Sequence, residues 1–527
     1  MRDFQMPGRS AVWADNGMCA TSHPLAANVA LDILKAGGNA VDAAIAGAVL
    51  LGLCEPQMTG IGGDVFALVK PAGSETPVAL NGSGRAPAAF DAAALRAEGH
   101  QTIPLGSAHA VTVPCAVDGF HKLSERYGKL GLSDSLAPAI RYMREGVPVA
   151  PRVAFDWADA VDTLQGPGRE AFLVNGAAPR AGDRFALPKQ AQALEAIARD
   201  GRDGFYKGAV AEDMLATLRA AGGVHTEADF ADASATWTTP INGSYRGLDI
   251  VEHPPNGQGA AALLLANILS RFDLAALDPM GAQRIHLEAE ATKLAYDARD
   301  RFIADPDYMA DPSYLGRPEL AEALAALIDP GKTMPTPPPG TEAVHKDTIY
   351  ITVVDKDRMV VSLIYSIFHS FGSGLASDTF NILLHNRGAG FTLQEGHPNE
   401  AAPGKRPMHT ILPGMLAQNG RILAPFGVMG GQYQSTGHAR FFSNLADFGM
   451  DLQTALDMPR SFSTPEGVLQ VERGYSDDVR ATLSDMGHNV VIPEGPIGGA
   501  QSIRIDPETG VLEGASDPRK DGCALGY

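Results

Sequence analysis

Cysteine is scarce in this chain of 527 residues: Cys19, Cys54, Cys115 and Cys523 are scattered and form no CxxC pair. That argues against a disulfide framework or a zinc ribbon and fits a reducing compartment. Basic charge is also short, with 42 Lys and Arg against 61 Asp and Glu and a net charge of −19. A general nucleic-acid binder needs a basic surface, so no nucleic-acid partner is expected. The 14 histidines include no HExxH or HxH pair, so spacing gives no metal site and no cofactor is expected. Long apolar runs are missing as well. The longest, Ala43 to Leu53, falls short of the ~20 residues that cross a bilayer. Asp3 and Asp15 interrupt the first residues, and no apolar core precedes a cleavage site. The expectation is a cytoplasmic protein with no membrane partner.

What is present is ordinary globular composition, 45% apolar and 20% charged, in a chain long enough for several cores. Two helices are expected at the start, Leu25 to Lys35 and Ala40 to Leu51, separated by Gly37-Gly38-Asn39. Gly60-Ile61-Gly62-Gly63-Asp64 then precedes a strand-like Val65 to Val69. The glycine run resembles a phosphate loop but lacks its lysine and Ser/Thr, so it reads as a close-packed turn. Ile285 to Phe302 has the period of an amphipathic helix. Residues 329–347 hold five prolines and two glycines and read as an exposed, mobile linker. From Thr348 the composition turns to β, TIYITVVD and MVVSLIYSI around a polar turn, with further strands within Thr410 to Leu416 and Ile422 to Val428.

With Lys356-Asp357-Arg358 as the turn, Asp355 faces Met359 and facing residue numbers sum to 714. Thr348 then faces Ser366, and directly opposed residues have Cβ atoms ~4.5–5.5 Å apart. Two hydroxyls meet at the linker end of a hairpin. A threonine hydroxyl becomes a nucleophile when a base takes its proton, and a residue's own free α-amine, with pKa ~7.7, serves as one. That amine exists only if the Asp347–Thr348 bond is cut. Thr348 as a plain strand-opening residue remains the alternative on this geometry alone.

Six blocks, in order, carry a resemblance: GGNAVDAAIAGAVLLGLCEPQMTGIGGDVF (Gly37 to Phe66), DTIYITVVD, FGSG (Phe371 to Gly374), LLHNRGAGF (Leu383 to Phe391), APGKRPMHT (Ala402 to Thr410) and MGGQ (Met429 to Gln432). Together they resemble the γ-glutamyltransferase family of N-terminal nucleophile hydrolases, over nearly the whole chain. The resemblance implies an α+β fold, a four-layer αββα sandwich. It implies one precursor cut before Thr348 into a large subunit, 1–347, and a small subunit, 348–527, intertwined in one domain as a heterodimer, with a further dimerisation left open. The implied partner is a small-molecule amide substrate.

By the same resemblance Thr348 matches the nucleophile, Ser366 a threonine that hydrogen-bonds it, and Gly430-Gly431 the paired glycines whose N–H groups form an oxyanion hole. Departures fall on the substrate side. The family's carboxylate-gripping arginine aligns with Ser83, with Arg85 two residues on. Phe368 replaces a substrate-contacting Asn, Gly390 an acidic residue that binds an α-amine, and His409-Thr410 a Ser-Ser pair. Arg85, Phe368, Arg387, His409 and Thr410 are therefore the candidate substrate residues, the two arginines as readers of a carboxylate. The branch with this style includes cephalosporin acylase-like proteins and oxamate amidohydrolase. The expected function is an autoprocessing threonine amidohydrolase or acyltransferase acting on a γ-glutamyl or small related acyl amide. The alternatives are an inactive homologue that binds, and a serine hydrolase using Ser373 with His369 or His385, which lacks the GxSxG elbow.

Overall fold

The computed structural model describes residues 5, 8–335 and 348–527. Two seven-stranded antiparallel sheets form its centre. One sheet runs, edge to edge, Cys523–Gly526, Met18–Thr21, Ile349–Val354, Val360–Ser366, Asp64–Lys70, Val78–Gly82 and Thr236–Thr238. The other runs Val12–Ala14, Leu512–Ser516, Gly499–Ile505, Arg421–Met429, Pro413–Gln418, Leu248–Glu252 and Ile241–Tyr245. Both sheets mix strands from before and after residue 348, so the two halves of the sequence share one body.

Alternation along Ile349–Val354 shows how the layers stack. Ile349, Ile351 and Val353 point into a large helix-lined core with the helices Pro24–Lys35, Ala40–Cys54, Ala116–Tyr127 and Pro188–Asp200. Tyr350 and Val354 point the other way, into two cores between the sheets. On the far side of the second sheet, Gly259–Leu269 and Gln434–Ala446 supply the second helix layer. The result is the expected four-layer αββα sandwich.

Two close approaches set the spacing. A Cβ at Gly427 would lie 2.3 Å from the Tyr350 ring of the facing sheet, so only glycine lets the sheets meet there. A Cβ at Gly47 would lie 2.5 Å from Ile351 Cδ1, which brings the buried helix Ala40–Cys54 onto the strand that begins at Ile349. An Asn39–Asp42 capping box starts that helix, and Ala40 N–H donates to Asp355 Oδ2 at 3.0 Å. A turn carboxylate thus sits on a helix N-terminus, whose N–H groups work against the burial that raises its pKa.

The expected helices and strands are all present, with ends shifted by one to three residues. One expectation needs correction. Ala282–Phe302 is not amphipathic in place: it is buried on most sides, and His286, Glu288, Glu290, Lys293 and Arg299 are buried along it. These polar groups are tolerated because they pair, as Glu288 does with Arg284 at 2.8 Å and Glu290 with Lys293 at 2.7 Å. The start of the expected linker, residues 329–335, is mostly exposed and makes hydrogen bonds to the body. Thr333 N–H donates to Met486 O at 2.9 Å and Met334 N–H to Glu290 Oε2 at 2.7 Å. The rest of that linker from 336, with Asp347, lies outside the described residues.

Candidate active site

The hairpin register is the one the turn dictates. Ile349 pairs with Tyr365 and Val354 with Val360, and Asp355 N–H donates to Met359 O at 3.1 Å across the turn. Thr348 and Ser366 follow one step beyond, fully buried, with Oγ1 and Oγ 3.4 Å apart. Ser366 Oγ also accepts the Phe368 N–H at 2.9 Å, which fixes the hydroxyl in place.

The next strand extends this row. Ser366 is the register partner of Asp64, so Thr348, Ser366 and Asp64 stand side by side across three strands on the face between the sheets. Asp64 is a hub. Its Oδ2 takes His385 Nδ1 at 2.9 Å, Arg387 Nε at 3.1 Å and His409 Nε2 at 3.2 Å, and its Oδ1 takes Gly84 N–H at 3.0 Å. All four side chains are fully buried. Burial pushes the Asp64 carboxyl up, but His385, with the hydrogen bonds it and His409 give, holds it well below the usual carboxylate range. Burial, with Arg387 beside it, brings His409 down to about 3. Its Nδ1 accepts from Ile411 N–H at 3.3 Å, so the neutral imidazole carries its proton on Nε2, facing Asp64.

Arg387 crosses this group. Its Nη1 donates to Thr410 Oγ1 at 3.3 Å, and its guanidinium lies 4.0 Å from the Phe368 ring centre. Burial lowers Arg387 to about 10, with Asp64 working against the shift. Nη2 is buried and has no hydrogen-bond partner among the described residues. Phe368 sits at φ 79°, a conformation that a bulky side chain rarely adopts; such strain collects at functional sites.

Gly430 and Gly431 form the turn between the strand Arg421–Met429 and the helix Gln434–Ala446. Gly430 has φ 121°, and a Cβ there would meet Gly498 Cα at 2.9 Å. Gln258 links this turn to the Arg387 side: its Nε2 donates to Thr410 O at 2.5 Å and to Gly431 O at 3.3 Å. Arg299 Nη1 holds Gln258 Oε1 at 3.0 Å and Gln432 Oε1 at 2.5 Å. Beneath the whole arrangement lies one apolar cluster of Phe66, Tyr350, Ile364, Ile411 and Met429. Each of the five is one or two residues from Asp64, Thr348, Ser366, Thr410 or Gly430, so these positions share one end of the inter-sheet space. Beside Gly430 and Ser370 opens a cavity of ≈ 690 Å³, walled by Tyr433, Phe155, Asp156 and Lys520 among others.

The structure therefore brings Phe368, Arg387, His409 and Thr410 together and places Arg85 apart from them. That guanidinium turns to Asp305 at 3.2 Å and to Gly404 O at 2.8 Å. Ser83 is bound through its hydroxyl to Asn256 Nδ2 at 3.2 Å. At Gly390 a Cβ would lie 2.7 Å from Met408 O, so this backbone has no room for the acidic side chain the family carries there. Ser373, the alternative nucleophile, donates instead to Leu384 O at 2.8 Å. The Gly60 to Asp64 turn is close-packed as expected: Cβ atoms at Gly62 and Gly63 would lie 2.2 and 2.3 Å from Leu383 O and Ser366 O. What spacing missed was the role of Asp64 itself. The available signal was an aspartate directly before the apolar run Val65 to Val69; its pairing with Ser366 shows only in the structure.

The model of the Gamma-glutamyltranspeptidase family matches residues 26–527. The chain belongs to that family. It is 34% identical over 525 residues to the glutathione hydrolase-like YwrD proenzyme of Bacillus subtilis, covering 97% of this chain and 98% of that one. It is 35% identical over 531 residues to the oxamate amidohydrolase proenzyme of Klebsiella pneumoniae, with the same coverage of 97% and 98%. The crystal structure of a cephalosporin acylase from Bacillus halodurans superposes with a TM-score of 0.93 at 39% identity, over 100% of this chain and 99% of that one. This family member is thus an enzyme of the amide-bond hydrolase and transferase class. Among the described residues no helix is long and apolar enough to cross a membrane.

Proposed function

We propose that this family member is an autoprocessing N-terminal threonine amidohydrolase, with acyl transfer open to it. In the first step Thr348 Oγ1 attacks the Asp347 carbonyl carbon. The C–O bond forms, the Asp347–Thr348 C–N bond breaks, and the freed amine takes the hydroxyl proton. Water then hydrolyses the ester, leaving residues 1–347 and 348–527 as two subunits. In turnover the Thr348 amine takes the Oγ1 proton as Oγ1 attacks the substrate carbonyl, and passes it to the leaving amine. Ser366 holds Oγ1. In this reading the N–H groups of Gly430 and Gly431 serve the developing oxyanion, a role worth ~3–4 kcal/mol per donor elsewhere. The acyl-enzyme is released by water or by an acceptor amine.

The observation that carries this reading is the buried Thr348–Ser366 hydroxyl pair, 3.4 Å apart, in the row that ends at Asp64. The acyl group we assign is small and lacks an α-amino acid head. Ser83 and Gly390 carry no charge to pair with the carboxylate and amine of that head, whereas Arg387 Nη2 offers one unpaired donor for a lone carboxylate or carbonyl oxygen. Localisation in the cytoplasm is part of the same proposal. Hydrolysis of γ-glutamyl-p-nitroanilide, compared with oxamate-type and glutaryl amides, tests the assignment. Faster turnover of the last two supports it, and dominant γ-glutamyl turnover overturns it.

A further inference from the structure

Away from the Asp64 group, three potential metal ligands converge although no sequence motif joins them. His286, Glu290 and His488 are buried and place one donor atom each within 4.8 Å of one another. His286 and Glu290 are four residues apart on the helix Ala282–Phe302, hence on one face, while His488 comes from the turn before the strand Asn489–Val491. This separation in sequence is why spacing could not reveal them.

The details suit coordination. His286 Nε2 lies 2.7 Å from Asp329 O, a carbonyl, so that nitrogen carries the proton and Nδ1 presents a lone pair. Nδ1 faces His488 Nε2 at 2.8 Å. Glu290 Oε1 accepts from Lys293 and Thr333, while Oε2 accepts one bond, from Met334 N–H, and keeps a lone pair. A metal ion would replace the shared imidazole proton. The two nitrogens would then separate to about 3.3 Å, the span of two ~2.05 Å bonds at a tetrahedral angle.

We propose that His286 Nδ1, His488 Nε2 and a Glu290 oxygen form a binding site for one divalent transition-metal ion of the zinc class, completed by water. Two imidazoles and a carboxylate are the donor set such ions take. The site joins three pieces: the helix Ala282–Phe302, the segment Asp329 to Met334 that leads toward Thr348, and the turn at Met486 to His488, where Met486 O receives Thr333 N–H. A bound ion would pin the end of the segment preceding the Asp347–Thr348 bond to the half of the chain that follows it. The role is structural and independent of the acyl chemistry.

The test uses full-length protein stripped with EDTA, returned to chelator-free buffer and titrated with Zn²⁺ alone. Calorimetry and elemental analysis should find one equivalent bound per chain, with a dissociation constant below about 1 µM. His286→Gln and His488→Gln should each weaken that binding by at least about 10–100-fold, the loss that removing even an outer partner brings. Zn²⁺ should raise the melting temperature of the wild type but not of either variant, compared with each protein's own melt in EDTA. Less than a tenth of an equivalent in the wild type would overturn the proposal. So would binding of unchanged strength in both variants.

Discussion

Replacing Asp64 with asparagine isolates the charge that organises the site while keeping the side chain's shape. In the wild type this carboxylate meets Arg387, His385 and His409 within 3.2 Å and Gly84 N–H at 3.0 Å, all buried. Asparagine leaves the Arg387 guanidinium buried without a counter-charge, and its amide NH₂ can face one of the donors. Breaking a buried pair from one side costs about 3–5 kcal/mol. At roughly 2 °C per kcal/mol for a large domain, the melting temperature at pH 7 should fall by about 6–10 °C. A double-mutant cycle sharpens the test. Asp64→Asn with Arg387→Gln removes both charges, and the pair should lose less than the sum of the singles, with a coupling of about 1–3 kcal/mol. The pH dependence has a definite sign. Because the folded-state pKa of Asp64 is depressed, its stabilisation is present above the unfolded value of ~3.9 and is lost as pH falls toward the folded value. The gap between wild type and Asp64→Asn should therefore narrow on acidification below about pH 4. Differential scanning calorimetry at pH 7 and at pH 3.5 reads both effects. Melting within about 1 °C of wild type at pH 7, with no coupling in the cycle, would refute the hub.

Other expectations follow from single contacts. Ser366→Ala removes the acceptor of the Phe368 N–H and the partner of Thr348, and should slow self-cleavage and turnover by about 10–100-fold, the worth of ~1–3 kcal/mol. A time course on a denaturing gel checks this, and an unchanged rate would count against it. Gly430→Ala meets both a positive φ and the 2.9 Å contact with Gly498, so it should cut kcat by at least about 100-fold. Full activity there would remove the turn from the mechanism. With His409 held at about 3, no histidine limb from that residue is expected above pH 5. The log kcat/KM should instead rise with a midpoint near the ~7.7 of an α-amine. A midpoint near 6 that vanishes in His409→Asn would assign the base differently.

Much of this was legible in the sequence because it is local. A three-residue turn sets the register of a hairpin, and the register sets which two hydroxyls meet. Which residues of Ile349–Val354 face the helices and which face the second sheet was not legible, because both faces are buried and largely apolar. The resemblance then supplied the layers. What was not legible depends on where side chains travel in three dimensions. Arg85 and Arg387 look alike as candidate cations, yet one finds Asp305 and the other Asp64, and only packing decides between them. Asp64 hid inside a glycine-rich turn whose conformation drew attention away from its carboxylate. The helix Ala282–Phe302 carries a polar face that would suit solvent; tertiary burial overrides that pattern and pairs its charges internally.

The mass of the mature protein decides the central claim most directly. Intact mass spectrometry of active wild type should show two polypeptides, the smaller being the 180 residues from Thr348 to Tyr527 with a free threonine at its N-terminus, while Thr348→Ala stays whole at 55.3 kDa and inactive. Active protein that runs as one uncut chain of 55.3 kDa would contradict the account.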